Sequence, residues 1–224
     1  MKVSQRLPRE NGRDYALRNI KANIVNLELA PGSQISENEL AEELGLSRTP
    51  VREALIELSK AEIIEIQPQR RSTVSLIDCG LVEEARFMRN QLECAVAELV
   101  CGMAGPIDLE RLEASIRLQS FYLDGTYTTE LMDLDNQFHG ALFDIAQKSR
   151  VFRQIQILSI HFDRVRGLAL SAEKDLKVVQ DHQQLVEFIR KTDGASARRL
   201  MEVHLNRYRI DAAEISRRYP QYFK

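Results

Sequence analysis

The chain has 224 residues, which exceeds the common size of a single domain and predicts two domains, each large enough to bury its own core. Its 44% hydrophobic and 6% aromatic content, without any Trp, is typical of a folded protein packed with aliphatic side chains and excludes general disorder. The net charge of −2 excludes nucleic-acid binding through an overall positive charge.

The N-terminal segment MKVSQRLPRENGRD is polar and lacks the apolar stretch of a signal peptide. No run of about 18 apolar residues follows, so we expect a cytoplasmic protein without a membrane partner. The three cysteines are Cys79, Cys94 and Cys101. Their odd number and the lack of a CxxC spacing argue against both a disulfide framework and a thiolate zinc site.

Three helices are predicted in the first 61 residues. Apolar residues recur at helical spacing over residues 14–29, which form the first helix. Ser36, followed by Glu39, has the pattern of a capping box and predicts a short second helix that ends at Gly45. Helical spacing then resumes in LSRTPVREALIELSKAEI, where Pro50 is tolerated because it lies in the first turn. Two short helices around Gly45 predict a helix-turn-helix.

The next segment, IIEIQPQRRSTVSLI, has two β-branched runs around a polar turn and predicts a hairpin, the wing. Beyond it, amphipathic stretches predict about six helices. They cover residues 79–103, 107–123, 128–147, 149–170, 172–192 and 194–218. The predicted fold class is therefore mainly α, with an N-terminal winged helix-turn-helix over residues 1–77 and an all-α helical bundle over residues 78–224.

The string PGSQISENELAEELGLSRTPVREALIELSKAEII resembles the signature of the GntR family of bacterial transcription regulators, and LSRTPVREAL is its most specific part. The resemblance implies a recognition helix that enters the DNA major groove. Arg48 and Arg52 share one face of this helix, and an arginine can bind guanine O6 and N7 with two parallel hydrogen bonds. We expect at least one of them to read bases, while Ser47 and Thr49 contact phosphates or cap the helix. The alternative is a solvated face, with Arg52 paired to a nearby Glu.

Residues 1–76 contain 11 Lys and Arg against 11 Asp and Glu, so any DNA-binding surface must be a local patch. Arg70 and Arg71, at the predicted hairpin tip, are placed to reach a minor groove or phosphates, although exposed turn arginines are also common without such a function. Arg18 on the first helix is a further candidate for a phosphate contact.

Four polar residues lie on the apolar faces of three predicted helices: Asp135, His139, His182 and His204. Burial of such groups is costly unless they are satisfied. One divalent metal ion bound by a carboxylate and three imidazoles would satisfy all four, and this donor set suits zinc, nickel, manganese or iron. Taken singly, a histidine on an apolar face is more often a hydrogen-bonded core residue, so spacing alone leaves both interpretations open.

The segments RNQLECAVAELV, DNQFHGALFDIA and DHQQLVEFIRKTDGASARRLMEVHL resemble the FCD effector domain that follows the GntR-type helix-turn-helix in the FadR subfamily. The resemblance implies that Asp135, His139, His182 and His204 form a metal site, with zinc as the expected ion. The predicted six helices are more similar to the VanR branch than to the seven-helix FadR branch.

Two more residues are predicted to contact an effector. Arg89 resembles the arginine that faces the effector cavity in this family, and the alternative is an i,i+4 ion pair with Glu93 on a solvated face. An arginine beside a metal ion favours a small carboxylate as the effector, since a guanidinium group holds a carboxylate with two hydrogen bonds. His161 is expected to face inward as a pocket-lining or core residue.

These features predict a homodimeric, ligand-responsive regulator rather than an enzyme. Its two recognition helices would read half-sites of a pseudo-palindromic operator in double-stranded DNA, and a carboxylate near the metal would shift the equilibrium between two arrangements. A direct metal sensor is an alternative. A metal-dependent enzyme acting on a small acid is disfavoured because no motif marks a general base and the N-terminal signature would be unexplained.

Overall fold

The structure is a computed structural model that describes residues 1–67, 71–123, 128–170, 177–207 and 212–224. Across these ranges the helices are α1 (Gly12–Val25), α2 (Glu37–Leu44), α3 (Arg48–Lys60), α4 (Cys79–Val100), α5 (Pro106–Leu123), α6 (Thr128–Ile145), α7 (Ser149–Leu158), α8 (Ile160–Leu170), α9 (Lys177–Arg190), α10 (Gly194–Arg207) and α11 (Ala212–Arg218). The strands are β1 (Gln34–Ile35), β2 (Ile64–Glu65) and β3 (Ser72–Val74). The mainly α fold class is confirmed.

The chain divides into two compact units. The first contains Met1–Val82, Ile160–Val165 and Ala212–Lys224, and the second contains Glu83–Ser159 and Arg166–Asp211. The first unit therefore includes two segments from beyond residue 77, in addition to the winged helix-turn-helix. None of the described helices is long and apolar enough to cross a membrane.

Helices α2 and α3, on either side of Gly45, form the predicted helix-turn-helix. Gly45 ends α2 with a φ of 64°, the left-handed conformation that favours glycine. The capping-box prediction is wrong: Ser36 occupies the N-cap position, but its side chain makes no capping hydrogen bond. The carboxylate of Glu39 instead accepts a hydrogen bond from Arg71 at 2.7 Å, since a guanidinium group is a stronger partner than a backbone amide.

The wing is a three-stranded antiparallel sheet in the order β1-β3-β2. The predicted hairpin corresponds to β2 and β3, while β1 was not predicted because two residues between Gly32 and α2 carry no alternating pattern. Residues 68–70, including Arg70, lie outside the described residues. Apolar residues of α1, α2, α3 and β3 form the core of this unit: Ile20, Ile24, Leu40, Val51, Ala54, Leu55, Leu58 and Val74.

The part of the chain beyond residue 77 differs from the six-helix prediction in two places. The stretch 149–170 contains two helices, because Ser159 ends α7 and the chain starts again with α8 at Ile160. No Pro or Gly marks this break in the sequence. The stretch 194–218 is described as α10 and α11, with residues 208–211 outside the described ranges. The branch assignment, which used the helix count, stays a prediction.

Helix α6 packs tightly against α7 at a glycine. A Cβ atom placed on Gly140 would lie only 2.9 Å from a ring carbon of Phe152. The ring of Phe152 therefore rests directly on the backbone of α6, the helix that carries Asp135 and His139.

Candidate metal centre and DNA-binding surface

The four residues predicted as metal ligands lie together in the second unit. Asp135 and His139 are one turn apart on α6, His182 lies on α9 and His204 on α10. All four are buried, and one potential ligand atom from each lies within 4.8 Å of the others. The α-helical spacing of four residues places Asp135 and His139 on the same face, which explains how one helix supplies two members of the cluster.

Each histidine has its Nδ1 atom beside an oxygen from a residue outside the four. The pairs are His139 with Glu93 at 2.5 Å, His182 with Gln119 at 2.7 Å and His204 with Asp181 at 3.3 Å. Carboxylate and amide oxygens only accept hydrogen bonds, so the protons of neutral His182 and His204 reside on Nδ1. The contact between His139 and Glu93 is as short, but it does not have the geometry of a hydrogen bond. The Nε2 atoms of His182 and His204 are then left with their lone pairs, which is the arrangement typical of metal-binding histidines.

The Nε2 atoms of the three histidines converge on one another and on Asp135. The Nε2 atoms of His139 and His204 are 3.2 Å apart, and Nε2 of His139 is 3.7 Å from Oδ2 of Asp135. Nε2 of His182 is 3.7 Å from Oδ1 of Asp135, and neither atom has a hydrogen-bond partner within the described ranges. Lone pairs that face one another repel, and a cation between them removes the repulsion.

The separations also suit a metal ion. Ligands about 2.1 Å from a tetrahedral zinc ion lie about 3.4 Å apart. Three pairs of atoms in the cluster are 3.2 to 3.7 Å apart, which is close to this value, and all four potential ligand atoms lie within 4.8 Å of one another. Three imidazoles and one carboxylate therefore fit a divalent ion by their chemistry, and three of their pairs also fit it by spacing.

Buried arginines set the charge state of the carboxylates. Burial raises the pKa of Asp135, but Arg166, with Nη2 2.5 Å from Oδ2, and the nearby histidines outweigh it and hold the pKa well below its usual value. Burial likewise opposes ionisation of Glu93, yet Arg89 and His139 lower its pKa to about 2. Burial also lowers the pKa of His182 and of His204, which favours the neutral imidazoles that metal ions bind.

Arg89 makes the predicted i,i+4 contact with Glu93, donating from Nε to Oε1 at 2.6 Å. The predicted alternative of a solvated face is wrong, because Arg89 is 4% and Glu93 is 1% exposed. Glu93 contacts both Arg89 and His139, so this carboxylate links Arg89 to the cluster. A role for Arg89 in effector binding stays a prediction.

Sequence reasoning did not identify Gln119, Asp181 or Arg166. Gln119 follows Leu112 and Ile116 at helical spacing, so it carried the same signal of a polar residue on an apolar face that marked the histidines. Asp181 lies directly before His182. No sequence signal separated Arg166 from an ordinary surface arginine.

His161 belongs to the first unit, whereas the four cluster residues belong to the second. Its Nδ1 accepts hydrogen bonds from the backbone N–H of Asp78 at 3.1 Å and from Arg164 at 2.7 Å. Its Nε2 lies 3.4 Å from the carbonyl oxygen of Glu62. Burial, followed by Arg164, lowers the pKa of His161 to about 4. These are the contacts of a core histidine, the second of its two predicted roles, and they do not support effector contact.

The N-terminal half of α3 exposes the residues predicted to meet DNA: Ser47, Arg48, Thr49 and Arg52. Ser47 occupies the N-cap position without a side-chain capping hydrogen bond. Arg48 lies 3.3 Å from Glu37 but remains 66% exposed. Arg52, for which a glutamate partner was the alternative, has no ion pair with any residue that the structure describes.

Arg71 and Arg18, which were also predicted to contact DNA, form hydrogen bonds within the protein. Arg71 is exposed and donates to Glu39. Arg18 donates to both oxygens of Glu10 at 2.8 Å, to Ser4 and to the carbonyl oxygen of Gln5. The hydrogen bond from Arg18 lowers the pKa of Glu10 to about 2. Arg18 therefore ties the N-terminal segment to α1, which argues against a free phosphate contact.

Two family descriptions match the chain: "Bacterial regulatory proteins, gntR family" over residues 14–74 and "FCD domain" over residues 84–207. An HTH-type transcriptional regulator in an unstable DNA locus of Streptomyces ambofaciens is 31% identical, over 99% of this chain and 93% of the relative. The HTH-type transcriptional repressor RspR of Escherichia coli K12 is 29% identical, over 91% of this chain and 90% of the relative. The solved structure of E. coli McbR/YncC has a TM-score of 0.81 at 19% identity, covering 94% of this chain and 99% of that chain.

The two matched segments fall on the winged helix-turn-helix and on the helices that carry the Asp/His cluster. The matched families and these relatives are regulators of transcription and not enzymes. The chain therefore belongs to the GntR family, as a DNA-binding transcriptional regulator with a C-terminal FCD domain.

Proposed function

We propose that this regulator responds to a small carboxylate that binds at or beside a divalent metal ion held by Asp135, His139, His182 and His204. The observation that carries the proposal is the convergence of four buried side chains, each of which places a potential ligand atom within 4.8 Å of the others. Zinc is the first candidate, while nickel, manganese and iron accept the same donors. When bound, the ion supplies Lewis acidity that attracts a carboxylate oxygen.

The charges around the cluster favour an anionic effector. Three carboxylates and two guanidinium groups lie among the cluster and its contacts: Glu93, Asp135, Asp181, Arg89 and Arg166. With neutral histidines, a divalent ion leaves one net positive charge in a buried region. A monocarboxylate would compensate this charge, and an uncompensated buried charge is costly. Arg89 and Arg166 are the residues whose donors match a carboxylate group.

We also propose that Arg48 and Arg52 read base edges, that Ser47 and Thr49 contact phosphates, and that the hairpin with Arg71 and Arg70 lies over the adjacent backbone or minor groove. The exposed N-terminal half of α3 supports this assignment. Selection of bound sequences from a random duplex pool would define the operator. Arg52→Ala should then weaken binding by about tenfold and relax specificity at one base pair, whereas Arg153→Ala, at an exposed position of α7 in the second unit, should leave both unchanged.

Homodimerisation would give the two half-site contacts on a pseudo-palindromic operator. One face of α5 exposes three large apolar residues at helical spacing, Ile107, Leu118 and Phe121, and we propose that a second copy of the chain covers it. A negative charge here, Phe121→Asp, should shift the mass measured by light scattering towards the monomer. The matched variant Glu110→Asp on the same helix should not.

A thermal-shift titration tests the effector proposal. The chelator-treated protein, the zinc-loaded protein and the zinc-loaded protein with a panel of small carboxylates are melted in parallel, with the corresponding amides as controls. Stabilisation by an acid but not by its amide, only when zinc is present, supports the proposal. No shift with any acid in the zinc-loaded protein contradicts it.

A direct metal sensor is the second candidate, since four protein ligands can complete a tetrahedral site without an effector. DNA binding measured against buffered free zinc separates the two. Reversible control of DNA affinity by zinc alone favours sensing, whereas a tightly retained ion with control by a carboxylate favours the first proposal.

A further inference from the structure

We infer that Gln119 is a positioning residue of the metal centre: it holds His182 in the tautomer that presents the Nε2 lone pair to the ion. The inference rests on the proposed metal site and assigns a function to a residue on α5, which supplies no ligand. It follows from three contacts within the second unit.

The first step is the orientation of the Gln119 amide. Its Nε2 atom lies 3.4 Å from the carbonyl oxygen of Leu134 and 3.3 Å from the hydroxyl of Ser115. A carbonyl oxygen only accepts, so the NH₂ group of Gln119 must face Leu134. The opposite orientation would place two oxygens against each other. The Oε1 atom of Gln119 is therefore the one that lies 2.7 Å from Nδ1 of His182.

The second step is the tautomer of His182. Because Oε1 of Gln119 can only accept, Nδ1 of His182 carries the proton. Nε2 is then unprotonated, and it lies 3.7 Å from Oδ1 of Asp135 with no hydrogen-bond partner in the described part of the chain. The ring of Phe138 stacks on the imidazole, with centroids 4.0 Å apart and planes 19° apart. Phe138 thus limits the tilt of the ring, and Gln119 determines which nitrogen is available.

The third step concerns charge. The Nδ1 atoms of His139 and His204 lie beside carboxylates, whereas His182 faces a neutral amide. A carboxylate partner raises the basicity of a histidine ligand, and an amide orients the ring while adding no negative charge. Gln119→Leu removes the acceptor that orients His182 and changes no charge. Its effect on metal affinity therefore reports the orientation of the imidazole.

The experiment has one arm without metal and one with zinc. In chelator-treated protein, nitrogen-15 NMR of the imidazoles should show His182 as the Nδ1–H tautomer in the wild type and loss of that state in Gln119→Leu. In competition with a chromophoric chelator, Gln119→Leu should bind zinc about 10- to 100-fold more weakly than the wild type. Ser115→Ala, which leaves the Leu134 contact intact, should match the wild type within twofold.

An Nε2–H tautomer of His182 in the wild type overturns the inference, and this measurement needs no variant to fold. A zinc affinity of folded Gln119→Leu within twofold of the wild type also overturns it, with folding checked by circular dichroism. If the wild type binds no zinc but shows the expected tautomer and its loss in Gln119→Leu, the proposed metal site fails while the positioning role of Gln119 stands.

Discussion

Two buried clusters contain histidine and arginine, and only one of them fits a metal ion. In the first unit, His161 uses both ring nitrogens, accepting from Asp78 and Arg164 at Nδ1 and facing the Glu62 carbonyl with Nε2. In the second unit, His139, His182 and His204 each have one nitrogen beside an outer oxygen and the other directed at fellow acceptors. A buried histidine is thus a candidate ligand when one nitrogen is satisfied and the other faces lone pairs.

The buried arginines of the two clusters, Arg166 and Arg164, also differ in their partners. Arg166 lies against the carboxylate of Asp135. Arg164 is fully buried, donates to the carbonyl oxygen of Ser75 at 2.7 Å and contacts His161, without a carboxylate partner among the described residues. Burial lowers the pKa of Arg164 to about 10. Arg164 in the first cluster therefore donates to neutral acceptors, whereas the second cluster leaves Oδ1 of Asp135 and Nε2 of His182 without a hydrogen-bond partner among the described residues.

The largest effect is expected in zinc affinity, which should depend on His182 in the second unit and not on His161 in the first. His182→Ala removes a proposed ligand, and the zinc dissociation constant should rise by more than about 100-fold, because loss of an outer partner alone costs up to that amount. His161→Leu should leave the zinc affinity unchanged. Chelator competition measures both, and an equal loss of affinity in the two variants would contradict the distinction.

The next effect concerns stability. His161→Leu leaves the buried N–H of Asp78 and a donor of Arg164 without their acceptor, so the free energy of unfolding should fall by about 3 kcal/mol. Chemical denaturation followed by circular dichroism measures the change. A loss below about 1 kcal/mol would show that these donors find other partners.

A pH titration gives a smaller effect with a defined sign. The pKa of His161 is about 4 in the folded protein and 6.5 in its ordinary state. Below pH 6.5 the unfolded chain binds a proton that the folded protein does not, so stability falls between pH 6.5 and 4. From pH 7.5 to 5 the contribution of this group should fall by about 2 kcal/mol, and His161→Leu should show a correspondingly shallower pH dependence. An unchanged slope in the variant would exclude His161 as the source.

The smallest effect is expected at Glu62, which meets His161 only through its backbone carbonyl. Its side chain is exposed, so Glu62→Ala should change the free energy of unfolding by less than about 0.5 kcal/mol. Parallel denaturation with His161→Leu makes it a matched control. A loss comparable to that of His161→Leu would mean that the side chain of Glu62, and not its carbonyl, supports the cluster.

Much of this organisation could be predicted from local patterns. Helical spacing predicted α2 and α3, β-branched runs predicted the hairpin, and polar residues on apolar faces identified Asp135 and the three histidines. Gln119 could not be assigned to His182, because the contact joins positions 63 residues apart and depends on α5 packing beside α9. The contact between Arg166 and Asp135 could not be predicted for the same reason, because it depends on how α8 packs against α6. The break at Ser159 escaped detection because serine is compatible with a continuing helix.

The packing of Phe152 on Gly140 has a consequence for how the ligand set tolerates mutation. Asp135 and His139 project from a helix whose rotation about its own axis is limited by an aromatic ring lying on its backbone. A methyl group at position 140 would displace that ring or turn the helix, and a rotation of a few degrees moves the two side chains by tenths of an ångström. The orientation of the two proposed ligands thus depends on the absence of a side chain at position 140, although this position supplies no ligand itself.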